Sequence, residues 1–151
     1  GAGGSARALL AGLSESGAAR IFVCNRTPER AEALVSSLQQ FAQETEMVAV
    51  SLSELESQPL ALLVNTTTVG MDGVSVPADL ERFREIRNVV DIIYRPAQTP
   101  LLAQAQRLSI PHLNGLGMLM HQGMEAFSFW TGKLAPEAEM RTALNSALQA
   151  D

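Results

Sequence analysis

The chain has 151 residues, 46% of them hydrophobic and 18% charged, with a net charge of −5 at pH 7. That length and apolar content suit a single domain with an ordinary core, and the charged fraction lies below the ~25% usual for such domains, as expected of a surface meant to be covered. An acidic balance without a basic stripe excludes a nucleic-acid binder, one cysteine (Cys24) excludes an internal disulfide framework, and no apolar run reaches the ~18 residues of a membrane helix. A reducing compartment, hence the cytoplasm, is expected.

In chain order, residues 5–15 read as a helix and 20–25 (RIFVCN) as a buried strand. A long helix is expected over 28–44, with Thr27 as N-cap and Pro28 in its first turn. Strands are expected over 47–51, 60–65 (LALLVN) and 88–94 (NVVDIIY). Thr99 and Pro100 open a helix to about 108, a short strand covers 110–113, and helices follow over 117–131 and 136–149. Continuous apolar strands alternating with helices indicate an α/β protein with a doubly wound parallel sheet, its helices on both faces.

Five stretches carry chemistry. Gly1, Gly3, Gly4 and Ala6 form a G-x-G-G-x-A turn, a relative of the dinucleotide fingerprint in which backbone approaches a pyrophosphate at a helix N-terminus. In that fold the turn follows a first, central strand. That strand is therefore expected to be missing from this sequence, which would leave two inner sheet edges unpaired. The next strand ends Cys24-Asn25-Arg26-Thr27, with an arginine where an NAD-binding fold usually places an acid for the ribose 2′-hydroxyl. Guanidinium groups at Arg26 and Arg30 suit a 2′-phosphate, whereas cations at a helix N-terminus are otherwise disfavoured. NADP is therefore expected over NAD.

The third stretch, Asn65-Thr66-Thr67-Thr68-Val69-Gly70-Met71, follows an apolar strand and offers hydroxyls to a ligand, although Asn and Thr are also ordinary turn residues. In the fourth, Tyr94 leaves a strand and can reach a ligand or pack half-buried, and Asp91 reads as a structural residue needing a partner. In the fifth, Gly115 can bring backbone close to a nicotinamide, Met118 can pack on a flat ring, and Gln122 offers donor and acceptor. Met120 and Met124 read as packing residues. His112 and His121 lack metal-ligand spacing, so no metal site is expected.

Taken together, the strings Gly1–Ser5, Asn25–Arg30, Asn65–Met71, Asp91–Leu102, Gly115–Gln122 and Ala126–Gly132 resemble the NADP domain of the shikimate dehydrogenase family across essentially the whole chain. N-R-T-x-x-R alone also occurs in glutamyl-tRNA reductases, but the W-T-G and Y-x-P-x-x-T-P-L-L strings argue against that reading. The resemblance implies a Rossmann-like NADP-binding domain over 1–132 and a C-terminal helix over 133–151 that packs on an N-terminal substrate domain absent from this sequence. It implies that Gly1, Ala2, Gly3, Gly4 and Ser5 cradle the pyrophosphate and that Asn25, Arg26, Thr27 and Arg30 hold the 2′-phosphate. Thr66, Ile92, Gly115 and Met118 complete the cofactor site, and Tyr94 and Gln122 contact the hydroxy acid or its keto form. The implied reaction is reversible reduction of 3-dehydroshikimate to shikimate by NADPH, in aromatic amino-acid biosynthesis. No catalytic residue is expected in this chain: the family's Lys and Asp lie in the N-terminal domain, and Lys133, the only lysine, is no match for that lysine. Thr66 departs from the family's usual alanine. A non-catalytic NADP(H)-sensing module and a quinate dehydrogenase stay open as alternatives, as does a homodimer.

Overall fold

The computed structural model describes residues 1–42 and 44–149. Its elements in chain order are α1 (Gly4–Glu15), β1 (Arg20–Cys24), α2 (Pro28–Gln39), β2 (Glu46–Val50), α3 (Leu52–Glu56), β3 (Pro59–Leu60), β4 (Leu63–Asn65), β5 (Glu85–Ile86), β6 (Val89–Asp91), α4 (Pro100–Arg107), β7 (His112–Leu113), α5 (Leu116–Thr131) and α6 (Glu137–Gln149). All strand pairings are parallel. β1 runs beside β2 with Arg20 opposite Glu46 and Cys24 opposite Val50. β4, β6 and β7 form a second sheet with Asn65 opposite Asp91 and Val89 opposite His112, and β3 pairs with β5.

Alternation along β1 explains the layering, because successive side chains of a strand point to opposite faces. Val23 belongs to a core cluster with Ala6 and Leu10 of α1, Ala31 and Leu34 of α2, and Met47 of β2. Phe22 and Cys24, on the other face, pack against Leu55 of α3, Leu60 and Phe83. A third cluster joins Leu101, Leu102 and Ala105 of α4 to Val89 of β6 and to Leu80. α/β layering around parallel strands is thus present, as the apolar runs indicated.

Three expected segments differ, and two elements are additional. The helix expected over 28–44 stops at Gln39, whose side-chain amide donates to the carbonyls of Ala42 and Thr45 at 3.1 and 3.0 Å and accepts from Met47 N at 3.0 Å. That side chain closes the chain into a turn, so the backbone need not continue as helix. The strand expected over 60–65 is two strands: the segment changes partner from β5 to β6 between Leu60 and Leu63, and Asn88 Nδ2 holds the Ala61 carbonyl at the step. The strand expected over 88–94 ends at Asp91, because the Asp91 carboxylate takes the Ile93 N–H at 3.1 Å out of the ladder. α3 and β5 were not anticipated. Yet α3 carries a capping box at Ser51 and Glu54, the S-x-x-E signature of a helix start.

Leu101 is among the largest fully buried side chains. Leu101→Ala is expected to lower unfolding stability by about 3 kcal/mol through the cavity it leaves between α4 and β6. Urea denaturation measures this, and a loss under ~1 kcal/mol would show that α4 does not depend on this contact.

Candidate functional site

Parallel strands direct their carboxyl ends to one edge of an α/β sheet, where ligand loops gather. Three of the five stretches meet there. The Gly1 nitrogen donates to the Cys24 carbonyl at 2.6 Å, which fastens the glycine turn to the end of β1. A Cβ built on Gly1 would lie 2.5 Å from Thr66 Oγ1, so the turn also lies directly against the loop after β4. Cβ atoms at Gly3 and Gly4 would meet nothing within 4 Å, which leaves that backbone open to a ligand. Gly3 caps α1 without a side-chain hydrogen bond, and the first turn of α1 holds no acid. Its free N–H groups therefore keep their partial positive charge. Ala2 packs on the core cluster beneath, and Ser5 is half-buried.

α2 begins beside this turn. Thr27 is its N-cap as anticipated and Pro28 its first residue, but the Thr27 hydroxyl makes no capping bond. Instead Asn25 Nδ2 donates to the Thr27 carbonyl at 2.9 Å and shapes the approach to the helix. Arg26 and Arg30 are both exposed, and among the described residues neither side chain has a hydrogen-bond or ion-pair partner. Arg20, Arg82, Arg87, Arg107 and Arg141, by contrast, each sit within 2.6–3.0 Å of a carboxylate. Burial above all pushes the thiol of Cys24, just before these arginines, above the ordinary range.

The loops after β4 and β6 are joined by a polar cluster that was not anticipated as a unit. Asp91 and Thr99 are fully buried and Asn65 nearly so. Asp91 Oδ1 accepts from Asn65 Nδ2 at 3.1 Å and from Ile93 N at 3.1 Å, and Oδ2 accepts from Thr99 Oγ1 at 2.7 Å. Reading Asp91 as a buried, partnered residue matches this. The partners Asn65 and Thr99 were missed, although an amide and an acid at the ends of apolar strands were the available signal.

Beyond the cluster, Tyr94 is 41% exposed. Among the described residues its hydroxyl has no hydrogen-bond partner, and the same holds for the Gln122 amide on α5. Ile92 and Gly115 touch: Gly115 N donates to the Ile93 carbonyl at 3.0 Å, and a Cβ on Gly115 would lie 1.7 Å from Ile92 O. Only glycine fits there. Met118, on the first turn of α5, is exposed. The geometry thus brings together Gly1, Asn25, Thr66 and their neighbours in one group, and Ile92, Tyr94 and Gly115 in another, with α5 carrying Met118 and Gln122 from the latter. The loop after Thr68 contains an acid, Asp72, held below the ordinary carboxylate range chiefly by the Ser75 hydroxyl and then by the Val74 and Ser75 N–H groups.

An α/β chain with glycine-turn and arginine loops at one sheet edge has a Rossmann-like architecture. Comparison with known proteins narrows this. Residues 1–69 match the model of the family described as shikimate / quinate 5-dehydrogenase, and residues 115–144 match that of the shikimate 5′-dehydrogenase C-terminal domain. The shikimate dehydrogenase (NADP(+)) of Geobacter sulfurreducens is 42% identical over 98% of this chain and 54% of its own length. The crystal structure of shikimate 5-dehydrogenase from Thermus thermophilus in complex with NADP(H) and shikimate superposes with a TM-score of 0.83 at 38% identity, covering 98% of this chain and 53% of that one. Quinate dehydrogenase from Corynebacterium glutamicum in complex with NAD gives a TM-score of 0.86 at 28% identity, over 97% of this chain and 53% of that one. The chain belongs to the shikimate dehydrogenase family, and it spans about half the length of the curated relatives it matches.

Gly115→Ala is expected to cost on the order of 3 kcal/mol, the upper end for an overpacked site, because the Ile92 backbone must move. Gly117→Ala, where a Cβ meets nothing within 4 Å, is expected to be neutral or to stabilise by up to ~1 kcal/mol. Urea midpoints of the two variants compare them directly, and equal effects would contradict the close approach of Gly115 to Ile92.

Proposed function

We propose that this chain is the NADP-binding part of a shikimate 5-dehydrogenase, which reversibly reduces 3-dehydroshikimate to shikimate with NADPH. The observation that carries the reading is the pair Arg26 and Arg30: two exposed guanidinium groups without partners among the described residues, at the end of β1 and beside an open glycine turn. Nothing else in the described fold uses these charges, and paired charge-assisted bonds to a 2′-phosphate would. The residues present fit the cofactor, since Gly3 and Gly4 leave room where a Cβ would otherwise stand and the first turn of α1 holds uncapped N–H groups.

In this reading Gly1 to Ser5 hold the pyrophosphate, Asn25, Arg26, Thr27 and Arg30 the 2′-phosphate, and Thr66 a ribose hydroxyl. Ile92, Gly115 and Met118 frame the nicotinamide, while Tyr94 and Gln122 hold the hydroxy acid by its oxygens. When bound, the cofactor supplies the hydride. The proton is exchanged by a Lys and an Asp outside this chain, in a substrate domain on which the C-terminal segment from residue 133 packs, its residues 150 and 151 lying outside the described residues. The Rossmann domain proper covers residues 1–132. Similarity to shikimate dehydrogenases at 42% and 41% identity supports the shikimate reading over the quinate one.

The finer fold follows the same reading. Among the described residues β1 pairs only with β2, and β4 only with β6. Between the free edges lies an apolar cavity of about 1010 Å³ lined by Ile21, Phe22, Val23, Leu63 and Val64. In a doubly wound sheet that cavity receives a central parallel strand from elsewhere in the protein, leading into the glycine turn.

Arg26→Ala is expected to raise the Kd for NADPH roughly 10- to 100-fold, the worth of charge-assisted bonds, and that for NADH less than about 2-fold. Fluorescence titration of the full-length protein with each cofactor checks it. Equal losses for both would remove the 2′-phosphate role and with it the preference for NADP.

A further inference from the structure

Asp91 is fully buried, and its three hydrogen bonds reach three separate parts of the fold. Asn65 stands at the end of β4, Ile93 N at the start of the loop that carries Tyr94, and Thr99 at the N-cap of α4, where its hydroxyl also receives Leu102 N at 3.3 Å. Asn65 passes the constraint onward. Its Nδ2 also donates to the Val69 carbonyl at 3.0 Å, and its Oδ1 accepts from Thr67 N at 3.0 Å and Thr67 Oγ1 at 2.7 Å. Val69 N in turn donates to Thr67 Oγ1 at 3.1 Å. Every polar atom of the Asn65 side chain is thereby used within the loop or on Asp91, and Thr66 is held between these anchors. On the other side the Asp91–Ile93 bond forces the chain out of β6 immediately before Tyr94.

One carboxylate therefore joins the loop bearing Thr66, which touches the glycine turn, to the loop bearing Tyr94. We propose that Asp91 is a positioning residue for the reaction: it fixes the spacing of Thr66 on the cofactor side and Tyr94 on the substrate side, and so the alignment of donor and acceptor carbons for hydride transfer. The proposal rests on the function proposed above and deepens it. It requires an acceptor-only group at position 91. An amide there cannot accept from Asn65, Ile93 N and Thr99 at once, and a buried hydroxyl or N–H is left without an acceptor. Small misalignments of reacting atoms are costly to rate, whereas binding of the remote adenosine half, held by Gly1 to Arg30, does not depend on this spacing.

The test uses the full-length protein carrying Asp91→Asn, Thr99→Val or Thr99→Ser, with kinetics at a temperature where circular dichroism shows each variant fully folded. The wild type must first turn over 3-dehydroshikimate with NADPH. If it does not, the proposed function fails, and the positioning role falls with it. Given turnover, Asp91→Asn and Thr99→Val are expected to lose kcat by at least about tenfold, with the Kd for NADPH within roughly threefold of wild type. With 4-deuterated NADPH their isotope effect on kcat is expected to rise, because hydride transfer becomes rate-limiting. Thr99→Ser keeps the hydroxyl and is expected to stay within about twofold of wild type. A lower Tm with unchanged kcat and isotope effect would overturn the proposal and leave Asp91 a residue of stability alone. If Asp91→Asn does not fold, the contrast between Thr99→Val and Thr99→Ser decides in the same way.

Discussion

Parallel pairing is the constraint from which the site follows. With β1 beside β2, and β6 between β4 and β7, the segments that leave these strands share an edge. Residues far apart in sequence then become neighbours without any long-range charge to attract them. Gly1 meets Cys24 and Thr66, and Asn65 meets Asp91 because the two are register partners on adjacent strands. The apolar faces of β1, with Val23 toward α1 and α2 and Phe22 and Cys24 toward α3, hold this edge still. Hydrophobic burial without direction thus supports a site whose chemistry depends on direction.

Polar groups finish what the strands begin. Gln39, Asn88 and Asp91 each end or redirect an element by taking a backbone group that the regular pattern would have used. These are the places where periodicity failed as a guide. Apolar runs predicted continuous strands over 60–65 and 88–94, but a run of side chains carries no record of which backbone N–H is diverted. The helix beginnings were easier to read, because Thr99 with Pro100 and Thr27 with Pro28 act within a few residues of themselves. α3 was legible in the same local way through Ser51 and Glu54 and was overlooked for being only five residues long.

The candidate site divides along the same line. Glycine turn and arginine pair were legible because their chemistry is unusual for their position: backbone without Cβ where a helix starts, and cations where the helix dipole opposes them. The Asp91 cluster was legible only as a requirement. An acid inside an apolar strand needs a partner, but its partners lie 26 and 8 residues away and are identified by the fold. Gly115 shows a third case, in which glycine at a helix N-cap looks ordinary until the carbonyl of Ile92 is found where its Cβ would stand.

α5 ends with Phe129 and Trp130 at 84% and 80% exposure, and Leu134 beyond it is 94% exposed. An exposed apolar stretch of this kind marks a surface suited to contact with another part of a protein. The most direct measurement is the rate of NADPH oxidation by the full-length protein with 3-dehydroshikimate, set beside NADH and beside 3-dehydroquinate. Turnover that favours NADPH and 3-dehydroshikimate is the predicted result. Tight NADPH binding without turnover of either keto acid would contradict it and mark the protein as a sensor of the cofactor.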